Sequence, residues 1–176
     1  MSLLREIHVY GPVFLRDARK QHGYQIDVML RRKELIRVRI PGGDVLLLGP
    51  KGKEQLTGNR SYKYSAFAEH LQQLMTRGRV IKHLEGQGYT WEKHRGPFLT
   101  EMRDANGNRT IIAVNKSGYH ERSLFRLVSS TLLGDLLGDA HLLVYTPNPE
   151  KLAGAAQDYA NLFELKNLNV IQARTS

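Results

Sequence analysis

The chain has no cysteine, so disulfide bonds and thiolate zinc sites are excluded. It has no apolar run of membrane-spanning length; "DVLLLG", at 44–49, is a strand-sized piece. The opening "MSLLREIHVYG" shows no long apolar segment and no cleavage-site pattern, so the expected location is cytoplasmic rather than secreted. There are no internal repeats and no low-complexity tracts. "GPKGKE" lacks the Gly-Lys-Ser/Thr ending that cradles phosphates in a nucleotide hydrolase, and the seven histidines show no H-x-x-x-H spacing. No cofactor and no metal is therefore expected.

Acids are also in short supply. There are 17 Asp and Glu against 26 Lys and Arg, for a net charge of +9 and a pI near 9.9. Residues 1–58 hold 11 of the bases and 6 of the acids, so the surplus is denser there than in the rest. A basic protein gains affinity for a polyanion by releasing condensed counterions, which makes nucleic acid the leading partner class. The bland alternative is a globular protein of high pI with no such partner.

What is present is ordinary for a globular chain: 176 residues, 41% hydrophobic and 24% charged, enough for one medium domain or two small ones. Leu3, Leu4 and Ile7 share a helical face that Gly11-Pro12 ends. "VFLRDARKQ" reads as a short helix with Phe14, Leu15 and Ala18 inward, and "HGYQ" as a tight turn. "QIDVMLRRKEL" buries Ile26, Met29 and Leu30 at helical spacing and leaves Tyr24, Gln25, Arg31, Arg32 and Lys33 to solvent. "LIRVRI" and "DVLLLG", joined by Pro41-Gly42-Gly43, form a hairpin.

Helix, helix, turn, helix, hairpin is the order of a winged helix-turn-helix, and the first third of the chain resembles one. The resemblance implies a recognition helix over Tyr24–Lys33 and a wing over Arg37–Leu48. Gln25 and Arg31 suit base edges, since amide and guanidinium groups read purines bidentately. Arg32, Lys33, Arg37 and Arg39 suit phosphates. The competing reading makes these the solvated faces of a domain that contacts only protein. "GPKGKEQLTGNRS", Gly49–Ser61, then reads as a junction with a brief helical turn around Glu54–Leu56.

A long helical pattern follows over Tyr62–Glu85, with Gly78 as a candidate break. "GNRSYKYSAF" sets Arg60 and Lys63 beside Tyr62 and Tyr64, as a strand-stacking surface would, though a helix start explains it equally. "YTWEK" suits a strand. Phe98–Arg103 and Arg109–Val114 flank Asp104-Ala105-Asn106-Gly107-Asn108 as a second hairpin. A helix through Leu124, Leu127, Val128, Thr131 and Leu132, the buried strand "HLLVYT", a helix opened by Asn148-Pro149, and the strand "NLNVIQA" complete the chain.

Helix, three antiparallel strands, helix, strand resembles the core of the PD-(D/E)XK, or restriction-endonuclease-like, superfamily. A winged helix leading into it is similar to the replication-relaxation proteins of plasmids and mobile elements. The superfamily implies an Asp on the first hairpin strand and a Glu-x-Lys on the second, converging on Mg²⁺. Here Pro97-Phe98 falls nearest the first motif, and Ala113-Val114-Asn115, with Lys116 one place beyond, nearest the second. Neither carboxylate is present. The hairpin is expected to be structural, with Glu101 sharing a strand face with Leu99 and Arg103, and with Arg103 placed to neutralise it.

The expected fold class is α+β: an N-terminal winged helix-turn-helix over 1–58, then a restriction-endonuclease-like α/β domain with a mixed central sheet over 59–176. The expected function is double-stranded DNA binding in transcriptional control, or as an accessory factor in replication or mobilisation of a genetic element. The second domain would be non-catalytic, serving dimerisation, extra DNA contact or a protein partner. A homodimer is expected, with Leu124–Leu132 and Tyr62–Glu85 as candidate surfaces and burial in the chain's own core as the alternative for each. The alternatives are a metal-dependent nuclease with a non-standard site drawn from Glu69, Glu92, Glu101 or Asp104, and a protein-interaction module. His120 and Glu121 are read as helix-start residues rather than as a catalytic base and its partner.

Overall fold

Helix α1 (Leu3–Tyr10) opens at Ser2, whose hydroxyl accepts a hydrogen bond from the Arg5 N–H, and closes at Gly11 with φ 83°. The computed structural model describes residues 1–59, 67–133, 140–146, 149–162 and 168–171. The chain is α+β and divides into two units, Met1–Gly78 and Arg79–Ser176. The expected junction at 58 falls inside the first. Among the described residues no helix is long and apolar enough to cross a membrane.

In the first unit, α1 is followed by β1 (Val13–Phe14), α2 (Leu15–His22), α3 (Gln25–Arg31) and the hairpin β2 (Leu35–Ile40) and β3 (Gly43–Leu48). The expected helix over "VFLRDARKQ" begins two residues late, because Val13 and Phe14 pair with Leu46 and Val45 as a third strand. The sheet order is β1-β3-β2, all antiparallel. Alternation along β2 sends its residues to two faces. Leu35, with Leu46 and Leu48 from β3, packs on Leu4, Ile7, Leu15, Ala18 and Ile26 of the three helices. Ile36, Val38 and Ile40, with Val45 and Leu47, pack on Ala68, Leu71 and Met75 of α5 (Ala68–Glu85). Fully burying an aliphatic side chain of this kind contributes roughly 1.5–3 kcal/mol, so the hairpin is held from both sides.

The third helix is shorter than the recognition helix expected over Tyr24–Lys33. α3 stops at Arg31, Arg32 caps it, and Lys33 takes the left-handed conformation at φ 59°. The Glu34 N–H reaches the Met29 carbonyl at 2.9 Å and the Lys33 N–H reaches that of Leu30 at 3.1 Å, which is a Schellman closure. The segment read as a junction is built into the same unit. α4 (Pro50–Thr57) is a full helix with proline in its first turn, and the Gly49 and Lys51 amides bond the carbonyls of Glu34 and Lys33. That approach requires glycine at 49, where a Cβ would lie 2.3 Å from the Lys33 oxygen.

Gly78 does not break α5. The helix runs straight through it, and the reason for glycine is steric: a Cβ there would lie 1.7 Å from the Tyr10 carbonyl oxygen. The expected start of this helix, and the Arg60–Tyr64 cluster, lie outside the described residues.

The second unit carries a five-stranded sheet, ordered β4 (Thr90–Arg95), β5 (Leu99–Arg103), β6 (Arg109–Val114), β7 (His141–Tyr145) and β8 (Leu168–Ile171). The first three strands form an antiparallel meander; β7 and β8 continue in parallel to β6. Parallel neighbours need a crossover, supplied by α6 (Glu121–Leu133) and α7 (Glu150–Leu162). Ile111, Ala113, Leu142 and Val144 meet Leu124, Val128, Leu152 and Ala156 of those helices in one core. Leu124 and Val128, named above as a dimer surface, are therefore interior, as are Leu71, Val80, Ile81 and Leu84 on α5. The side chains of Thr131 and Leu132, and residue Asn148, fall outside the described residues.

Candidate nucleic-acid interface

Every residue expected to touch DNA is exposed: Tyr24, Gln25, Arg31, Arg32, Lys33, Arg37 and Arg39. Their positions follow from the local fold. Gly23, with φ 50°, closes α2 and turns the chain within two residues into α3. Ile26 then anchors α3 in the core, with Gln25 exposed and Asp27 and Val28 half-buried. Arg37 and Arg39 alternate with Ile36, Val38 and Ile40, so they share the sheet face on which α1–α3 pack. Helix and hairpin thus present their cations on one side of the sheet.

These side chains are not equally available. Arg31 folds back on Tyr24: its terminal nitrogen donates to the Tyr24 hydroxyl at 2.7 Å, and the guanidinium lies 5.7 Å from the ring centroid. The pair is one platform, a flat cation against an aromatic ring that is 70% exposed. Arg37 and Arg39 both reach Asp44 across the hairpin, at 3.9 and 3.2 Å, so a single acid is shared by two bases. Arg32 and Lys33 make no ion pair among the described residues and extend from the Schellman turn. Asp27, in the first turn of α3, is taken by Arg19 of α2 at 3.1 Å, which removes an acid from the face of α3. Sequence reading missed Arg19 and Asp44; the opposite charges on adjacent elements were the available signal.

The hairpin of the second unit has its acids occupied. Glu101 is 7% exposed and accepts from Arg95 Nε at 2.6 Å and from Arg109 Nε at 2.9 Å, with the Lys93 ammonium at 3.6 Å. Burial opposes its ionisation, but the hydrogen bonds from Arg109 and Arg95 outweigh that cost and bring the carboxyl down to about 2. Arg103, the expected neutraliser, pairs instead with Glu92 at 3.1 Å and with the Gly107 carbonyl. The reason is register: Glu101 stands opposite Lys93, whereas Arg103 stands at the loop end opposite Thr90. Asp104 accepts from Asn108 through its side chain and from the Asn106 and Asn108 amides, and these bonds lower its pKa while it shapes the loop. Phe98, which the expected resemblance set against a metal-binding Asp, lies just before β5 and is 47% exposed.

Comparison of the chain with family models, with curated proteins and with solved structures gave no match. Of the acids weighed for a non-standard metal site, Glu92 and Glu101 are paired with arginines, Asp104 is held by amides, and Glu69 lies in the first turn of α5 in the other unit. Among the described residues, no group of three or more His, Asp or Glu stands close enough to hold a metal ion.

Proposed function

We propose that this chain is a duplex-DNA-binding protein whose first unit is a winged helix-turn-helix and whose second unit is a restriction-endonuclease-like domain without a working metal site. The observation that carries the reading is the shared side of α3 and of Arg37 and Arg39: a recognition helix and a wing must present their cations together to straddle a groove and its backbone. In this reading Gln25 and the Tyr24–Arg31 platform meet base edges, and Arg32, Lys33, Arg37 and Arg39 meet phosphates. The meander followed by α6 and a parallel strand supports the nuclease-like assignment. The arginine-bound Glu101 supports a structural hairpin. The role is transcriptional control, or accessory work in replication or mobilisation of a genetic element.

The protein acts as a homodimer, because one winged helix spans only a few base pairs and two-fold pairing doubles the footprint. With Leu124 and Val128 interior, the exposed Phe125 and Leu162 are the better surface residues for that contact. Fluorescence anisotropy with a labelled duplex tests the binding assignment. Replacing Arg31 and Arg32 with Ala weakens binding far more than replacing Arg174 does. Equal losses, or no duplex binding by the intact chain, overturn it.

A further inference from the structure

The parallel strands β6 and β7 both end in polar residues that lead into helices, "NKSGYHER" after one and Thr146 after the other. Between these strand ends and the starts of α6 and α7 lies a cavity of about 370 Å³, lined by Ser117, His120, Glu121, Arg122, Thr146 and Lys151. That volume falls in the range of small-molecule sites, which span roughly 300–1,000 Å³.

The lining is rich in donors. Arg122 and Lys151 contribute two positive charges and form no ion pair among the described residues, against one acid in the lining, Glu121. His120 supplies a third donor through its role as a cap. The Ser123 N–H donates to His120 Nδ1 at 3.3 Å while the His120 N–H donates to Ser123 Oγ at 2.9 Å, a reciprocal capping box. With Nδ1 accepting, the neutral ring carries its proton on Nε2. Ser117 and the buried Thr146 add hydroxyls. Leu152 and Tyr119 complete the lining with apolar surface, and burial holds the Tyr119 phenol protonated by raising it to about 12.

We propose that this cavity is a phosphate site, in which Arg122, Lys151 and His120 hold a phosphoryl group and Tyr119 and Leu152 flank the organic body attached to it. Several donors arriving from three chain segments fit a tetrahedral oxyanion better than a planar carboxylate. The starts of two thirteen-residue helices add partial positive charge at the same place. The phosphate comes either from a free phosphorylated small molecule or from the backbone of bound DNA.

Amide NMR of the intact chain separates the two sources. Pyrophosphate and AMP are titrated in one series and a short duplex in another, following the amides of 117–122 and 151–152. Movement of these amides with pyrophosphate or AMP, weakened at least tenfold in Arg122→Gln and Lys151→Gln, establishes a small-molecule site. Movement with the duplex alone, reduced by the same variants, assigns the site to the DNA backbone. Glu121→Gln tightens binding in either case by removing the one opposing charge. Both cations are exposed, so the variants keep the parent melting temperature. No movement with any of the three probes, or movement unchanged in both cation variants, overturns the proposal.

Discussion

Arg95 donates its Nε–H to Glu101 at 2.6 Å across the β4–β5 pair, and the carboxylate it holds is almost wholly out of water. A second arginine, Arg109, closes the other oxygen at 2.9 Å. A carboxylate committed in this way is a structural ion, and its value to the fold depends on pH. The folded-state pKa is about 2 against an ordinary 4.5. The corresponding stabilisation, on the order of 3 kcal/mol, is complete above the ordinary carboxylate value and drains away as pH falls toward 2. Urea melts of the parent and of Glu101→Gln should differ by about 2–3 kcal/mol at pH 7, with the gap narrowing between pH 4.5 and 2. Parallel acid profiles for the two proteins would show that the cluster contributes nothing.

The same geometry predicts no phosphodiester cleavage. In-line attack needs a metal to stabilise the attacking and leaving oxygens, and that metal needs converging carboxylates. Glu101 faces two arginines and a lysine, so a divalent cation would have to displace bound cations to reach it. Supercoiled plasmid incubated with the protein and Mg²⁺ or Mn²⁺ should remain supercoiled. Nicking that follows the protein through purification and disappears in Glu101→Ala would make this an enzyme.

Two glycines in helices should respond oppositely to alanine. At Gly78 the new methyl would meet the Tyr10 carbonyl oxygen at 1.7 Å, so α5 or the end of α1 must move. A forced shift of packed backbone costs roughly 1–3 kcal/mol or more. At Gly154 on α7 nothing among the described residues lies within 4 Å, and alanine there should gain about 0.5–1 kcal/mol from helix propensity. Thermal melts of both variants check the pair; a neutral Gly78→Ala would contradict the close α1–α5 approach.

Much of this architecture was legible because periodicity reports burial directly. The alternation in "LIRVRI" set both the strand and its two faces, and Ile26, Met29 and Leu30 set the inward side of α3. What escaped were features decided by contacts distant in sequence. Val13 and Phe14 became a strand only because β3 offered a free edge. α4 looked like a linker because its glycines, in isolation, signal flexibility; here they let the chain approach Lys33 and Glu34 closely. Leu124 and Val128 could not be sorted into core or interface without the sheet they cover. At the hairpin, the scarcity of acids could be read directly, but only register showed that Arg95 and Arg109, not Arg103, hold Glu101.

The salt dependence of duplex affinity tests the central claim most directly. Each phosphate contact made by a cation releases about 0.9 counterion from duplex DNA, so log affinity should fall linearly with log salt. Arg32 and Lys33 are exposed cations with no ion pair among the described residues, and replacing both with Gln should lower the slope by about 1.8. Replacing Arg37 and Arg39 should lower it less, since Asp44 already offsets part of their charge. A slope near zero for the parent, or one unchanged in the Arg32→Gln, Lys33→Gln variant, would contradict a DNA interface built on α3 and the β2–β3 hairpin.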